Sequence, residues 1–400
     1  MGVNVFPTPS AGASYSSQPP ASASSVLLDG QLVTASSIST SVTGTGAPWL
    51  LYANGAGPTT ITIAGTPYTV TAGSTVGTSA YTGSQSVTIA TTFGTPTTVN
   101  SSTLSISDAW WSVAYGAGYF VGIPYSGTTN GTYSSNGISW STSTMPTNAG
   151  WSDIAFGNGY FVAVVSGATT AAYSTNGTTW TASTLPSSIS WRTVAYGNPS
   201  STPTFIAIGG TSASNAYSTN GTTWSTMTMP SSAAWYGSAY GNGYFVAVAI
   251  GPTTKAAYST NGTTWTASTL PASDNWRAMG YGNNIWLAFG TSGNNAYSTN
   301  GTSWSTLTMP AAGGYNGSAY GNGYYVVASG NGAASTVGAY STNGTTWIAL
   351  TFPSSQTWSR TAYNNGTFVS LAYGTAIGSY ITTPPLPVAY GIYNGATVRA

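Results

Sequence analysis

One eight-residue phrase, Tyr-Ser-(Ser/Thr)-Asn-Gly-x-(Ser/Thr)-Trp, is written six times in this 400-residue chain. The copies end at Trp140, Trp180, Trp224, Trp265, Trp304 and Trp347, at spacings of 40, 44, 41, 39 and 43 residues. A period of this size outranks local propensity, because a unit so small cannot bury a core alone and must stack on its neighbours. A second landmark recurs seven times. It is an aromatic, three variable residues, a small residue and another aromatic, beginning at Trp110, Trp151, Trp191, Trp235, Trp276, Tyr315 and Trp358.

The unit that starts at Trp151 reads as four short strands. The first covers about 151–156 and turns at Gly157-Asn158-Gly159. The second, Tyr160 to Val165, is a continuous apolar run, as expected of a strand buried on both faces. A third covers about 171–174, and a fourth 178–184, stopped by Pro186. Asn176-Gly177 between them reads as a two-residue type I′ hairpin, which needs positive φ at both positions. The repeat residues are then Asn136, Gly137 and Trp140; Asn176, Gly177 and Trp180; Asn220, Gly221 and Trp224; Asn261, Gly262 and Trp265; Asn300, Gly301 and Trp304; and Asn343, Gly344 and Trp347. Four strands in about 40 residues is the arithmetic of a propeller blade. The seventh unit lacks a fourth strand before Pro384-Pro385. Residues 97–104 align without gaps on 178–185, so that upstream segment is expected to complete the last blade. The expected fold is all-β, a seven-bladed β-propeller of four-stranded blades closed by strand 97–104, a closure that leaves no open edge.

The phrase resembles the Asp-box, the bacterial neuraminidase repeat of sialidases and many other β-propellers. In the Trp180 copy the matching residues are Ser174, Asn176, Gly177, Thr179 and Trp180. Asn stands in place of the family's Asp, and the turn is one residue shorter. The resemblance covers roughly 97–382. It implies a hairpin between the third and fourth strands, away from an active face, and so implies fold and not activity.

Outside the ring, residues 1–25 are Ser/Pro/Ala-rich and read as an extended or disordered arm. Residues 26–95 read as a small β-module for attachment or oligomerisation, 96–382 as the propeller, and 383–400 as a C-terminal tail. The start of the chain has no basic region followed by an apolar core, so no secretory signal peptide is expected.

Composition excludes much. Charged residues make up 2% of the chain, the net charge is +1, and there is no His and no Cys. All four acids are Asp, so Glu is absent too. No electrostatic footprint for nucleic acid follows. No membrane insertion, metal site or cofactor is expected. Glycoside hydrolysis needs two placed carboxylates, or a Tyr activated by a Glu, and neither is identifiable. The charges in the ring nonetheless cluster at strand starts and at second-to-third-strand loops. Asp153, Arg192, Lys255, Asp274, Arg277 and Arg360 are therefore candidates for a ligand face opposite the repeated turns. The alternative is structural: paired charges such as Asp274 with Arg277, or Arg stacked on aromatics. Most repeat Trp are expected in inter-blade core.

The functional expectation is a non-enzymatic virion structural or adhesion protein. By composition and architecture the chain resembles phage tail, fibre and head-decoration proteins with degenerate Asp-box propellers. Its expected partners are other virion proteins, through the arm and module, and host cell-surface glycan; homo-oligomerisation is expected. A secreted, extracellular propeller lectin is the alternative, and a sialidase-like glycan hydrolase a weaker one.

Overall fold

A computed structural model describes residues 37–54, 59–70, 75–91, 98–330, 334–383 and 389–393. The arm expected at 1–25 lies outside the described residues. So do residues 26–36 of the expected module and most of the expected tail. The chain divides into two compact units, Met1–Thr95 with Thr383–Ala400, and Pro96–Thr382.

The first unit is one antiparallel sheet. Its strands run in the order Ala389–Tyr393, Ser37–Asn54, Thr75–Thr91, Thr59–Ile63 and Thr66–Val70. Two long strands form its spine, with Ser37 opposite Ala90 and Val42 opposite Gln85. Leu50 pairs with Tyr393, so a segment from the end of the chain supplies an outer strand.

The second unit is a β-propeller. Its inner strand segments lie in Asn100–Gly116, Trp151–Gly157, Thr181–Gly197, Ala234–Gly241, Trp276–Gly282, Tyr315–Gly321 and Trp358–Asn364. Each packs on the next, and the last packs on the first. The expectation of a seven-bladed ring of four-stranded blades needs correction. Hydrogen bonding gathers the ring into five sheets, two of six strands and three of four. The reason is continuity. Thr181–Gly197 pairs at one end with Thr170–Tyr173 and at the other with Thr204–Gly209, which welds neighbouring repeat units into one sheet. Asn100–Gly116 does the same. Its first part pairs with Thr367–Thr382, placing Thr103 opposite Ile377, and its second with Tyr119–Pro124. The segment that precedes the first repeat aromatic thus joins the two ends of the ring.

The turns also differ from expectation. Asn176 does not have positive φ, whereas Gly177 does, at 74°. The last pair before this turn is Tyr173 with Thr181, so the connection is a longer loop and not a two-residue hairpin. Side chains build it. Ser174 Oγ accepts from the N–H of Gly177 (2.8 Å), and Asn176 Oδ1 accepts from Thr178 (3.0 Å) and Thr179 (2.9 Å). These bonds satisfy backbone donors that no strand partner reaches. The same bonds recur around Asn136, Asn220, Asn261, Asn300 and Asn343. The tight two-residue turn lies elsewhere, at Asn158-Gly159, with φ of 46° and 80° between the paired Gly157 and Tyr160.

Between units, every inner strand except the last, which ends on Asn364, ends on a glycine that the next unit covers. A Cβ on Gly157 would overlap the ring of Tyr196, and one on Gly197 the ring of Tyr240. The strand-start aromatics Trp110, Trp151, Trp191, Trp235, Trp276, Tyr315 and Trp358 are all fully or almost fully buried. Around Trp191 lie Val162, Val164, Phe205 and Ala207 from two adjacent units, which makes the core an inter-unit one. Each such ring contributes roughly 4–6 kcal/mol of hydrophobic transfer before conformational entropy is counted.

Candidate functional site

Each inner strand is irregular at one fixed place. Trp191 pairs with Gly209 and Thr193 with Ile208, so Arg192 is an extra residue that has no partner in the ladder. Trp111, Tyr236, Arg277 and Asn316 are extra in the same way, as is Ser152. In the strand from Trp358 the gap is wider and holds both Ser359 and Arg360. A bulge breaks the alternation of a strand and re-aims a side chain. Here it repeats around the ring in the residue directly after each repeat aromatic. The residue type changes from unit to unit although the backbone device does not.

These bulges lie on the face of the fourth-to-first and second-to-third-strand loops. Asp108 shows that the two loop types meet. Just before the bulge of its strand, it accepts hydrogen bonds from Ser126 Oγ, from Thr128 Oγ1 (2.8 Å) and from Asn130 Nδ2 (2.6 Å). Asp274 does likewise with the N–H groups of Asn275 (2.6 Å), Ser292 (3.0 Å) and Asn294 (3.2 Å). Burial alone would raise the pKa of each carboxyl. The hydrogen bonds outweigh it and hold both below the ordinary value.

The predicted ligand-face residues separate into three groups. Asp274 is buried and spent on its own loop, and does not pair with Arg277. Lys255 stays on the rim, where Nζ donates to the carbonyl of Ser232 (3.1 Å). The other four come together. Asp153 is 3% exposed and meets Arg360 Nε at 3.0 Å. It also accepts from Ser112 Oγ (2.7 Å) and the N–H of Val194 (2.9 Å), so it stitches inner strands together. That buried carboxylate is fully partnered, and Arg360 is neutralised by it. Arg192 and Arg277 instead rest against one ring, that of Tyr236, with guanidinium carbons 5.6 and 5.2 Å from its centroid. Among the described residues neither has a carboxylate partner; Arg192 donates to Tyr125 Oη at 3.4 Å.

A shallow, solvent-open depression lies here, lined by Trp111, Tyr236, Arg277, Asn316, Arg360 and Tyr373 among others. Trp111 is edge-on to Tyr373 at 5.8 Å and tilted on Tyr125 at 5.3 Å. Sequence reasoning missed these aromatics. Trp111, Tyr236 and Asn316 could have been found, because they occupy the same post-aromatic column as Arg192 and Arg277. Tyr125 and Tyr373 share a second column, defined by their N–H bonds to the carbonyls of Ala109 and Thr357. Other units place Ser166, Gly210, Thr291 and Gly330 at the equivalent bond.

The arrangement can bind but is poorly furnished for proton transfer. In the ring Asp108, Asp153 and Asp274 are all buried and committed to structure. Among the described residues no group of three or more potential metal-ligating side chains gathers.

The fold defines the class as β-propeller, and solved structures agree with it. A streptogramin B lyase matches with a TM-score of 0.63 at 12% identity, covering 71% of this chain and 98% of that one. The virginiamycin B lyase of Staphylococcus aureus matches with a TM-score of 0.63 at 10% identity, covering 71% and 99%. YCF48 bound to D1 peptide matches with a TM-score of 0.56 at 15% identity, covering 72% and 96%. At these identities the likeness is one of fold. No family model and no curated protein sequence matches the chain.

Proposed function

We propose that the protein is a non-catalytic recognition propeller of the virion structural or adhesion type, and that the bulged mouth contacts a host glycan or receptor. The observation that carries this is the bulge column. The opposite turns repeat their side chains six times, whereas the mouth varies residue by residue on a constant backbone and leaves Arg192 and Arg277 without carboxylates. Variation on a fixed frame is what a recognition surface requires. The seven-unit count belongs to the same reading: each six-stranded sheet is taken as two repeat units that share a strand, so that every unit contributes one bulge.

A lyase or hydrolase activity is not favoured. A histidine-to-alanine variant of the virginiamycin B lyase is described as catalytically inactive, and this chain contains no His. The Ser/Thr/Gly/Asn-rich, nearly uncharged composition supports placement on a particle, with the arm and β-module docking to other virion proteins in a homo-oligomer. A secreted propeller lectin is the second reading, favoured by the aromatic residues beside the cationic pair.

The test is attachment. The full-length protein is labelled and mixed with candidate host cells, and purified particles are probed for it. Saturable attachment that weakens in Arg192→Ala and Arg277→Ala variants supports the reading. Attachment that is absent, or indifferent to both substitutions, overturns the recognition role. Its absence from every particle fraction overturns the virion role and leaves the lectin.

A further inference from the structure

We propose that two turns of the ring are sites of spontaneous modification. Asn158-Gly159 and Asn242-Gly243 convert from Asn to Asp or isoaspartate, whereas the same dipeptide in the repeated loops is held inert. The chemistry needs only water. The main-chain nitrogen of the glycine gives its proton to solvent base and attacks Cγ of the preceding Asn. A new N–Cγ bond closes a succinimide ring, the Cγ–Nδ2 bond breaks, and Nδ2 leaves as ammonia after taking a proton from water. Water then opens the imide at either carbonyl and leaves a carboxylate, on a normal or a β-linked backbone. The step requires an Asn side chain free to turn, a glycine N–H free to give its proton, and room for the ring.

Both turns meet these requirements. Asn158 and Gly159 are exposed and lie between the paired Gly157 and Tyr160, with φ of 46° and 80°. Asn242 and Gly243 repeat this between Gly241 and Tyr244, at 43° and 81°. A two-residue turn is closed by its flanking pair, so the glycine N–H is not needed for it. Among the described residues neither Asn side chain and neither glycine N–H has a hydrogen-bond partner. A Cβ placed on Gly159 or Gly243 would meet nothing within 4 Å, so the space over each glycine is open.

The repeated loops fail the same requirements. Gly177 N–H donates to Ser174 Oγ at 2.8 Å, and Asn176 Oδ1 is held by the N–H groups of Thr178 and Thr179. Gly221, Gly262 and Gly301 donate in the same way to Ser218, Ser259 and Ser298. All four glycines are buried. A Cβ on Gly177 would overlap Val121, and one on Gly262 would press on Thr204 and Phe245. Attack there must first break the Ser–Gly bond and the bonds to the Asn side chain. Exposure of the Asn does not decide the matter, because Asn176 is exposed as Asn158 is.

The consequence is electrostatic. Only 2% of the residues are charged, and one carboxylate gained at each turn takes the net charge from +1 to −1. Both carboxylates arise at the end of an inner strand away from its bulge, so the mouth and its proposed role are untouched.

Incubating the full-length protein in mildly alkaline buffer made with heavy-oxygen water, followed by mass mapping of chymotryptic peptides, tests this. Asn158 and Asn242 should convert about tenfold or more faster than Asn176, Asn220, Asn261 and Asn300, the factor that one broken buried hydrogen bond amounts to. Each converted peptide should carry heavy oxygen and the mass of water less ammonia. In concentrated urea all of these sites should convert at similar rates, because the contrast lies in the fold and not in the dipeptide. Equal rates in the folded protein, or faster conversion in the loops, overturn the proposal, as does a contrast that survives in urea. Ser174→Ala releases the Gly177 N–H and should raise the Asn176 rate relative to that of Asn220 in the same molecule. An unchanged ratio overturns the account of the loops.

Discussion

The two faces of the ring solve backbone problems in opposite ways. On the turn face, Ser174 and Asn176 and their five sets of counterparts satisfy loop N–H groups with their own side chains. Those side chains cannot change without releasing the loop, so the phrase repeats almost letter for letter. On the mouth face a bulge absorbs one residue per inner strand, and the backbone is satisfied around it. The bulged residue has no partner opposite it in the ladder, so Trp, Ser, Arg, Tyr and Asn all occur there, and of these Ser152 and Asn316 turn back to donate to strand carbonyls, those of Val164 (3.1 Å) and Gly330 (2.6 Å). The contrast separates sequence tied to the loop it builds from sequence that the inner-strand backbone leaves open, the part proposed for recognition.

The largest expected effect lies on the turn side. Gly157→Ala drives a Cβ into Tyr196, between two inner strands, and should destabilise the ring by about 1–3 kcal/mol or more. Chemical denaturation measures this, and a neutral outcome would mean that the glycine–aromatic contact does not join the units. Next comes Ser174→Ala. It orphans the Gly177 N–H and should cost about 1–3 kcal/mol, whereas Asn176→Asp keeps an acceptor and should cost much less. If the two cost the same, the side-chain account of the repeat is wrong.

Asp108 tests the mouth loops. Its pKa is lowered in the folded state, so its contribution is complete above the ordinary value of 3.8 and fades as pH falls below it. It is lost once pH passes the lowered folded value. Melting curves from pH 5 down to 2 should therefore fall less steeply for Asp108→Asn than for the parent protein. The smallest effect is expected in the bulge column. Arg192→Ala and Arg277→Ala should each alter stability by no more than about 1 kcal/mol, because what they lose is a cation–π contact with Tyr236. A large loss at either would turn the proposed recognition surface into a folding element and collapse the comparison.

Part of the site was legible and part was not. Arg192, Arg277, Arg360 and Asp153 stood out because charge is so rare in this chain. Trp111 and Tyr236 did not, since an aromatic in a chain with 15 Trp and 28 Tyr carries little signal. Asp274 misled for the opposite reason: rarity marked it, yet its partners are the N–H groups of a loop, which no residue pattern records.

By itself the sequence determined the β architecture, the repeat of about 40 residues and the aromatic core positions. These depend on short-range periodicity and on the spacing of apolar residues. Only the tertiary structure decided that long strands weld the ring into five sheets, that Asn176 builds a loop with its side chain, and that Asp153 reaches Arg360 more than 200 positions away. Ladder register, bulges and encounters across a closed ring arise from how strands twist and meet. No local stretch of sequence encodes that geometry.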